Sequence, residues 1–407
     1  MKRLSCDLLV VGGGVAGVCA AIAASRSGVR TTLVERRAFL GGTGYVGMFH
    51  YLCGLYLNGE TIPVKPLNSG LTQEIVGLLR NKTPEKSVQK IGQVYVLPYN
   101  TNDLQDVFKD LLDAEHGITV LLNTAATAIK AENGNIRNVS LEDPGGTLTI
   151  TATMVIDCTG NGDVAAMAGA PFELSPVDER QLAGFSIQVC GLVHDDGLLS
   201  IKVPYWCAQA VERGILLPAM KFTTFSYGSS PGEGLIKMSL DGEDTPDRDE
   251  RARKYAHDLL VFLGQFVPAF THARIAGTSH NVLDREGRRI TGDYILTEED
   301  ILTARKFPDA IVKNAWPIEL WDRSKGTTYT YVQRGDYYEI PFGCITVKGI
   351  SNLLTAGRCI SVSPAALGST RVMGTCMALG EQAGLAAALY IEDGEYPAPD
   401  KRISWNE

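Results

Sequence analysis

The chain has 407 residues, a net charge of −8 and 45% hydrophobic residues. That length exceeds one small core and predicts two domains, or one large domain with an insertion. The acidic balance, with no basic run and no solenoid-length repeat, argues against a nucleic-acid surface, which needs clustered Lys and Arg.

At the N-terminus Lys2 and Arg3 precede the apolar run LLVVGGGVAGVCAAIAA, which has the outline of a secretion signal. Three glycines at fixed spacing, 12, 14 and 17, point instead to a nucleotide-binding unit. Residues 6–11, CDLLVV, predict a short buried strand. Gly12 permits the tight turn, Gly14 lets backbone approach phosphate oxygens, and Gly17 lets the following helix sit close on the sheet. That helix, VCAAIAASRS, ends at Gly28, and its N-terminus carries unpaired N–H groups that suit an anion. VRTTLV is the second strand and closes on Glu35, 18 residues after Gly17. A carboxylate there accepts hydrogen bonds from ribose hydroxyls and repels a 2′-phosphate.

NAD and FAD proteins share this fingerprint, so the sequence beyond it decides between them. ERRAFLGGTG follows, with Arg36 beside the acid and Gly41 and Gly42 marking another close backbone approach. The chain then runs through GYVGMFHYLCGLYLNG, glycine-rich and aromatic, unlike a regular βαβ crossover. That favours a flavin, whose tricyclic ring needs walls beyond the nucleotide fold. His50 in this stretch is a candidate for proton transfer. Cys53 reads first as a small buried side chain, with a redox thiol or a flavin tether as alternatives.

Farther on, ITVLLNTAATAIKAENGNIRNVSLEDPGGTLTITATMV reads as alternating strands with turns at ENGN and DPGG. VIDCTGNGD (155–163) is an apolar strand running into Gly160, Gly162 and Asp163. A strand, a meander and a strand ending in TG is the layout around the adenine in two-dinucleotide flavoproteins. Residues 172–338 carry no nucleotide signature and hold three of the four tryptophans. Within them DGEDTPDRDERARK reads as a solvated turn and helix start, ARKYAHDLLVFLGQFVPAF as a helix with an apolar face, and YTYVQRGDYYEIPFG as strand. NLLTAGRCIS (352–361) is a strand ending in Ala-Gly-Arg, and RVMGTCMALGEQAGLAAALYI is a last helix studded with small residues. Arg371, just before it, is a candidate to meet a substrate anion or the flavin edge. Tyr45, Trp321 and Tyr338 are candidate pocket linings. The expected division is 1–171 with 339–395 for the cofactor, 172–338 as a substrate-binding cap, and 396–407 as a tail.

Nine scattered cysteines without a C-x-x-C spell neither a zinc ribbon nor an iron–sulfur run, so no metal is expected. Free thiols suit a reducing cytoplasm. No other segment is long and apolar enough to span a bilayer.

The stretches ERRAFLGG, IDCTGNGDVAAMAGAP and LLTAGRCIS…STRVMGTCMALGEQAG resemble the FAD-dependent oxidoreductases of the glutathione-reductase-like superfamily. More narrowly they resemble the FAD_oxidored family of bacterial and archaeal flavoproteins, over about 1–60, 95–175 and 315–390. The resemblance implies an α/β fold: a Rossmann-like FAD-binding domain of glutathione-reductase-2 type with an inserted α+β substrate domain. It implies non-covalent FAD on Gly12, Gly14, Gly17, Glu35, Gly42, Gly357 and Arg358, with Val15, Ala16, Arg36, Thr43, Ala126, Gly160, Asp163 and Met373 completing the expected set. The helix starting near Val372 is expected to aim its N-terminus at the flavin's pyrimidine edge, where its dipole stabilises the charge added on reduction.

Two departures stand out. Many relatives carry Pro-Ile-Asp-x-His-Asp where this chain has PIELWD, 317–322, so Trp321 stands at the histidine position. Many carry Ile-Pro-Tyr-Arg where this chain has IPFGC, with Gly343 in place of the arginine. No catalytic histidine is therefore carried over.

The expected activity is hydride transfer between a small organic substrate and flavin N5, with the second electron partner and the oligomeric state left open. Alternatives are a flavin-dependent enzyme acting on a macromolecule, a thiazole-synthase-like protein whose cysteine gives up sulfur, an NAD-only dehydrogenase, and a non-catalytic flavin scaffold. An aromatic hydroxylase is disfavoured, because no Gly-Asp-Ala-Ala-His-like stretch occurs where AGRCIS stands.

Overall fold

The structure is a computed structural model that describes residues 2–193, 196–228, 230–242 and 245–396. The apolar run at the N-terminus forms strand β1 (Lys2–Val11), and the glycine turn after it leads into helix α1 (Val15–Arg26). The signal-like stretch thus lies at the centre of the fold. β2 (Thr31–Val34), β3 (Ile118–Leu121), β4 (Ala125–Glu132), β5 (Asn135–Asp143) and β6 (Gly146–Asp157) follow. They assemble in the order β3-β2-β1-β6-β5-β4, and a short strand, Leu353–Thr355, also pairs with β6.

β6 joins two kinds of pairing. Its first residues run antiparallel to β5, completing the meander that the turn sequences predict. Its last residues, Val155–Asp157, run parallel to Leu353–Thr355, and its other edge runs parallel to β1. The C-terminal ends of β1, β2, β6 and Leu353–Thr355 therefore open on one edge, where ligands bind in open parallel sheets.

The C-terminal helix, Met373–Asp393, lies against α1. A Cβ on Gly380 would overlap the Ala16 carbonyl oxygen and stand 2.7 Å from its carbon, and Gly384 faces Ala20 in the same way. The small residues of both helices exist for this backbone-to-backbone contact. Among the described residues no single helix is long and apolar enough to cross a membrane.

A second body is built from β7 (Ala183–Cys190), α2 (Leu199–Glu212), β8 (Thr224–Tyr227), β9 (Glu233–Leu240), α3 (Arg248–Phe266) and β10 (Arg274–Thr278). Its antiparallel sheet runs β8-β9-β7-β10, and Phe185, Ile187, Met238, Leu259 and Phe262 form a core of its own. The charged run before α3 supplies that helix's acidic first turn, Asp249 and Glu250; Glu243 and Asp244 in it lie outside the described residues. So do residues 397–407 of the expected tail.

Not all of 172–338 belongs to this second core. Leu296, Ile301, Ile311, Val312 and Ile318 bury their side chains with α1 and the C-terminal helix. In this return segment β11 (Ile318–Asp322) and β12 (Gly326–Thr330) form a hairpin. The predicted strand YTYVQRGDYYEIPFG is two pieces: pairing stops at Thr330 and resumes at Tyr338, because the intervening QRGD makes a turn.

Candidate functional site

The fingerprint glycines have three different reasons to be glycine. Gly12 has φ of +108°, and a Cβ there would overlap the Cys158 carbonyl at the end of β6. A Cβ on Gly17 would overlap the Gly12 carbonyl oxygen and stand 3.0 Å from its carbon. A Cβ on Gly14 would meet only Gly42 Cα, at 3.9 Å. The first two are required by the protein's own packing. The third keeps space open in front of the first N–H groups of α1, whose opening residues Val15 and Ala16 are buried. The loop at 41–42 is laced to this turn: Gly41 N–H donates to Gly13 O at 2.8 Å, and a Cβ on Gly42 would come within 2.9 Å of Gly14 Cα.

Glu35 is buried at the end of β2. Its two oxygens accept the Gly13 N–H at 2.7 Å and the Arg37 N–H at 2.9 Å. Each oxygen keeps a further lone pair for a ribose hydroxyl. Arg36 is exposed, whereas Arg37 folds back, donating to Asn281 Oδ1 at 2.7 Å and lying 5.9 Å from the Phe39 ring. Of the two arginines after Glu35, Arg37 is therefore the one whose side chain turns inward. Thr43 is exposed beside Gly42, and Ala126 is half-buried on β4 opposite Leu141.

At the end of β6 the acid that sequence reasoning overlooked is Asp157. Fully buried, it accepts from Thr159 N–H (3.0 Å), Thr159 Oγ1 (2.7 Å) and Ala165 N–H (2.9 Å), tying the TGNGD loop to the strand. Burial pushes its carboxyl pKa up, against these hydrogen bonds. The signal was an acid closing an apolar strand immediately before the glycine turn. Asp163 holds Arg288 at 2.9 Å and the Asn161 amide at 3.1 Å, a supporting task for the loop. Arg358 donates to Gly160 O at 2.7 Å and to Asp284 O, fastening the same loop to the segment before β11. Gly160 faces open space, and Gly357 lies against Ala16.

The start of the C-terminal helix closes the cradle. Met373 is buried there, its Sδ 3.0 Å from where a Cβ on Gly44 would stand. The loop at 53–54 lies across this helix end: Gly374 N–H donates to Cys53 O at 2.9 Å, and a Cβ on Gly54 would be 2.8 Å from Thr375 Oγ1. The Thr375 hydroxyl is buried without a hydrogen-bond partner.

A charged cluster surrounds the bend of 92° between the helix Pro364–Thr370 and the C-terminal helix. Arg371, at the bend, donates to Arg285 O at 3.1 Å and Glu319 O at 3.0 Å. The Arg285 guanidinium lies 3.6 Å over the Trp321 ring and donates to Leu182 O. Glu319 accepts the Trp321 indole N–H at 2.9 Å and the Trp316 indole N–H at 3.3 Å. Lys237, on β9, stands 5.0 Å from the Phe49 ring. Burial lowers the pKa of all three cations, bringing Arg285 down to about 9. His50 is lowered by burial, then by the charges of Lys237 and Lys86. Burial pushes the Cys53 thiol up to about 12, which opposes thiolate chemistry.

The structure thus places Arg371 and Trp321 in one cluster with Arg285 and Glu319, and sets His50 within reach of the Lys237 charge; Lys237, Arg285 and Glu319 are residues the sequence did not single out. Tyr338 is elsewhere: fully buried, its hydroxyl bonds Ser369 Oγ at 2.6 Å and the Asn314 amide at 2.7 Å in the main core. Tyr45 packs 4.9 Å from Phe39 and 5.8 Å from His280. A side chain at Gly343 would begin 3.0 Å from the Tyr294 backbone nitrogen, so no arginine fits there without displacement.

A glycine cradle for a dinucleotide, an acid for its ribose and a charged cluster beyond define an oxidoreductase built on a dinucleotide cofactor. The family model for FAD dependent oxidoreductases, FAD_oxidored, matches residues 7–400, and the chain belongs to that family. It is an enzyme, and its cofactor is FAD. The chain is similar to dihydrolipoamide dehydrogenase of Chaetomium thermophilum, at 28% identity over 180 residues, 43% of this chain. The match spans about a third of that protein, 31%. Among solved structures it is similar to OxyS, the anhydrotetracycline hydroxylase of Streptomyces rimosus, with a TM-score of 0.53 at 14% identity over 99% of this chain. It is also similar to CabE, an aromatic hydroxylase from angucycline biosynthesis, with a TM-score of 0.53 at 14% identity over 98% of this chain. The chain spans 65% of the length of each hydroxylase, and at this identity the likeness is one of fold. The residues fit the cofactor: Gly14 and Gly160 face space that no side chain enters, and the Glu35 oxygens retain acceptor capacity.

Proposed function

We propose that this enzyme transfers a hydride between a small organic substrate and FAD. The first turn of α1 with Gly14 would hold the pyrophosphate, Glu35 the ribose, and Gly42, Gly357 and Met373 the stretch toward the reacting ring. Bound FAD supplies a two-electron centre at N5 of its isoalloxazine. The observation that carries the reading is the cluster of Lys237, Arg285, Glu319 and Arg371 beside the start of the C-terminal helix, with His50 near enough to feel the Lys237 charge.

In the oxidative direction a substrate C–H bond breaks with its electron pair leaving as hydride. The proton lost from the substrate's oxygen or nitrogen goes to His50. Burial and two neighbouring cations hold that imidazole below its ordinary pKa, so it is neutral and able to accept. Phe49 and Trp321 supply apolar surface that keeps water from the reacting atoms. We further propose that residues 183–282 form the substrate-side unit, that the second electron partner is a separate small molecule or protein, and that the enzyme works in the cytoplasm.

Anaerobic mixing of the yellow holoprotein with pools of organic donors tests the reading. Bleaching of the visible flavin band, with a product two hydrogens poorer than the donor, is the expected outcome. A product that gains an oxygen atom, formed only when oxygen and a separate reductant are both present, would replace this reading with hydroxylation.

A further inference from the structure

The cluster at the helix bend has an imbalance that the transfer itself does not explain. Among the described residues, Lys237, Arg285 and Arg371 converge there with a single carboxylate, Glu319. Both Glu319 oxygens already accept indole N–H groups, so it serves to hold Trp321 under Arg285 as well as to balance charge. Glu286, the other acid whose charge reaches Arg371, is paired with Arg289 at 2.9 Å. Arg371 spends two N–H groups on backbone carbonyls. Arg285 spends one on Leu182 O.

Lys237 is the telling member. It is half-buried in the middle of β9, opposite Ser186 of β7 and Thr224 of β8, and among the described residues its ammonium has neither a hydrogen bond nor an ion pair. The Phe49 ring lies 5.0 Å from it. An ammonium desolvated without a partner is unfavourable unless an anion arrives to meet it. The exposed Tyr329 of β12, whose hydroxyl feels both Glu319 and Arg285, marks the side open to solvent. The rings of Phe49 and Trp321 lie beside Lys237 and Arg285.

We propose that the substrate is an organic acid whose carboxylate docks between Lys237 and Arg285, with Arg371 behind them. This rests on the reading above that the cluster lines the substrate side of the bound FAD. A carboxylate there would give Lys237 its missing partner and take the donors that Arg285 has left. Lys237 and Arg285 are then specificity-determining residues, and the transferred hydrogen belongs to a carbon near an acid group.

Equilibrium titration of the oxidised holoprotein tests it, with perturbation of the flavin spectrum and calorimetry as readouts. The probes are acetate, succinate and benzoate, each against its neutral amide, with inorganic sulfate as a separate arm. At least one acid should bind about 10-fold or more tightly than its amide. Lys237→Met should weaken that acid about 30-fold or more while leaving FAD content unchanged, and Lys237→Arg should restore most of the affinity. Equal binding of every acid and its amide would overturn the proposal. So would sulfate binding more tightly than all three acids, which would assign the cluster to a sulfate- or phosphate-type oxyanion. If Lys237→Met loses FAD instead, the cations face the cofactor and the proposal falls while hydride transfer stands. A wild-type protein that takes up no FAD would bring down the functional reading itself.

Discussion

Gly14→Ala and Gly17→Ala form a pair that separates a glycine kept for the cofactor from one kept for the fold. Gly14 caps α1 with φ of −72° and ψ of −177°, a conformation open to any residue, and its Cβ would meet nothing nearer than 3.9 Å. Alanine is a poorer cap than glycine by about 0.5–1 kcal/mol, and it gains roughly 0.4–1 kcal/mol by restricting the unfolded chain. The two offset, so the apoprotein should melt as wild type does. The added methyl stands where phosphate oxygens must approach the α1 N–H groups. Losing about one charge-assisted hydrogen bond there costs roughly 2–3 kcal/mol, or about 30- to 150-fold in FAD affinity. Gly17→Ala inverts the pattern, because its Cβ would overlap the Gly12 carbonyl, which is backbone and cannot swing aside. About 3 kcal/mol or more of stability should be lost. The assay is FAD retained per chain after gel filtration, titration of apoprotein with FAD, and thermal melting of the apoproteins. A Gly14→Ala protein that binds FAD with wild-type affinity would show that the pyrophosphate does not lie at α1. Unchanged melting of Gly17→Ala would refute the tight helix–loop contact.

Gly380→Ala would force the C-terminal helix away from the Ala16 carbonyl, and about 1–3 kcal/mol of stability should be lost, read from denaturant midpoints. His50 has a pKa held below 6.5, so its basic form persists below that pH; anaerobic flavin reduction should fall only as pH drops through the lowered value. His50→Ala should slow reduction about 10²–10⁴-fold and abolish that acid limb with FAD still bound, as stopped-flow absorbance across pH would show. Tyr338→Phe leaves the Asn314 amide and Ser369 hydroxyl short of a partner in the core. It should cost about 1–3 kcal/mol in denaturant unfolding while leaving FAD affinity and reduction rate as they are.

The parts legible in the sequence are those whose signal is local. β1, α1, β2 and Glu35 lie within 35 residues and obey strand, helix and glycine rules that need no partner. The meander and the strand ending in TG were readable from alternation and turn chemistry for the same reason. The charged cluster was not, because Lys237, Arg285, Glu319 and Arg371 come from four distant segments, and each alone resembles an ordinary charge beside apolar residues. What makes them a site is desolvation and mutual approach, which only tertiary packing creates. The packing of the segment around 296–332 is hidden for a related reason: its apolar residues fit either core, and the choice of the main one depends on which helix face is left uncovered. Arg36 and Arg37 differ by one position at the end of β2, where the chain leaves strand geometry and alternation no longer tells which side chain turns inward.

The likeness to two hydroxylases does not transfer their chemistry, and the reason is structural. What such folds share is the cradle of β1, α1, β2 and β6, and a cradle of this kind grips the nucleotide end of FAD, which does not react. On the reading proposed here, the outcome of the reaction is decided where the other end meets the second body. There this chain places an imidazole whose pKa is lowered by burial, an ammonium without a counter-ion among the described residues, and a carboxylate immobilised by two indoles. Under the proposal above, a base beside a carboxylate-seating cluster suits removal of a hydride and a proton from neighbouring atoms. On this proposal, substitutions in β9, β11 and the helix bend, rather than in the cradle, should change which substrate reduces the flavin.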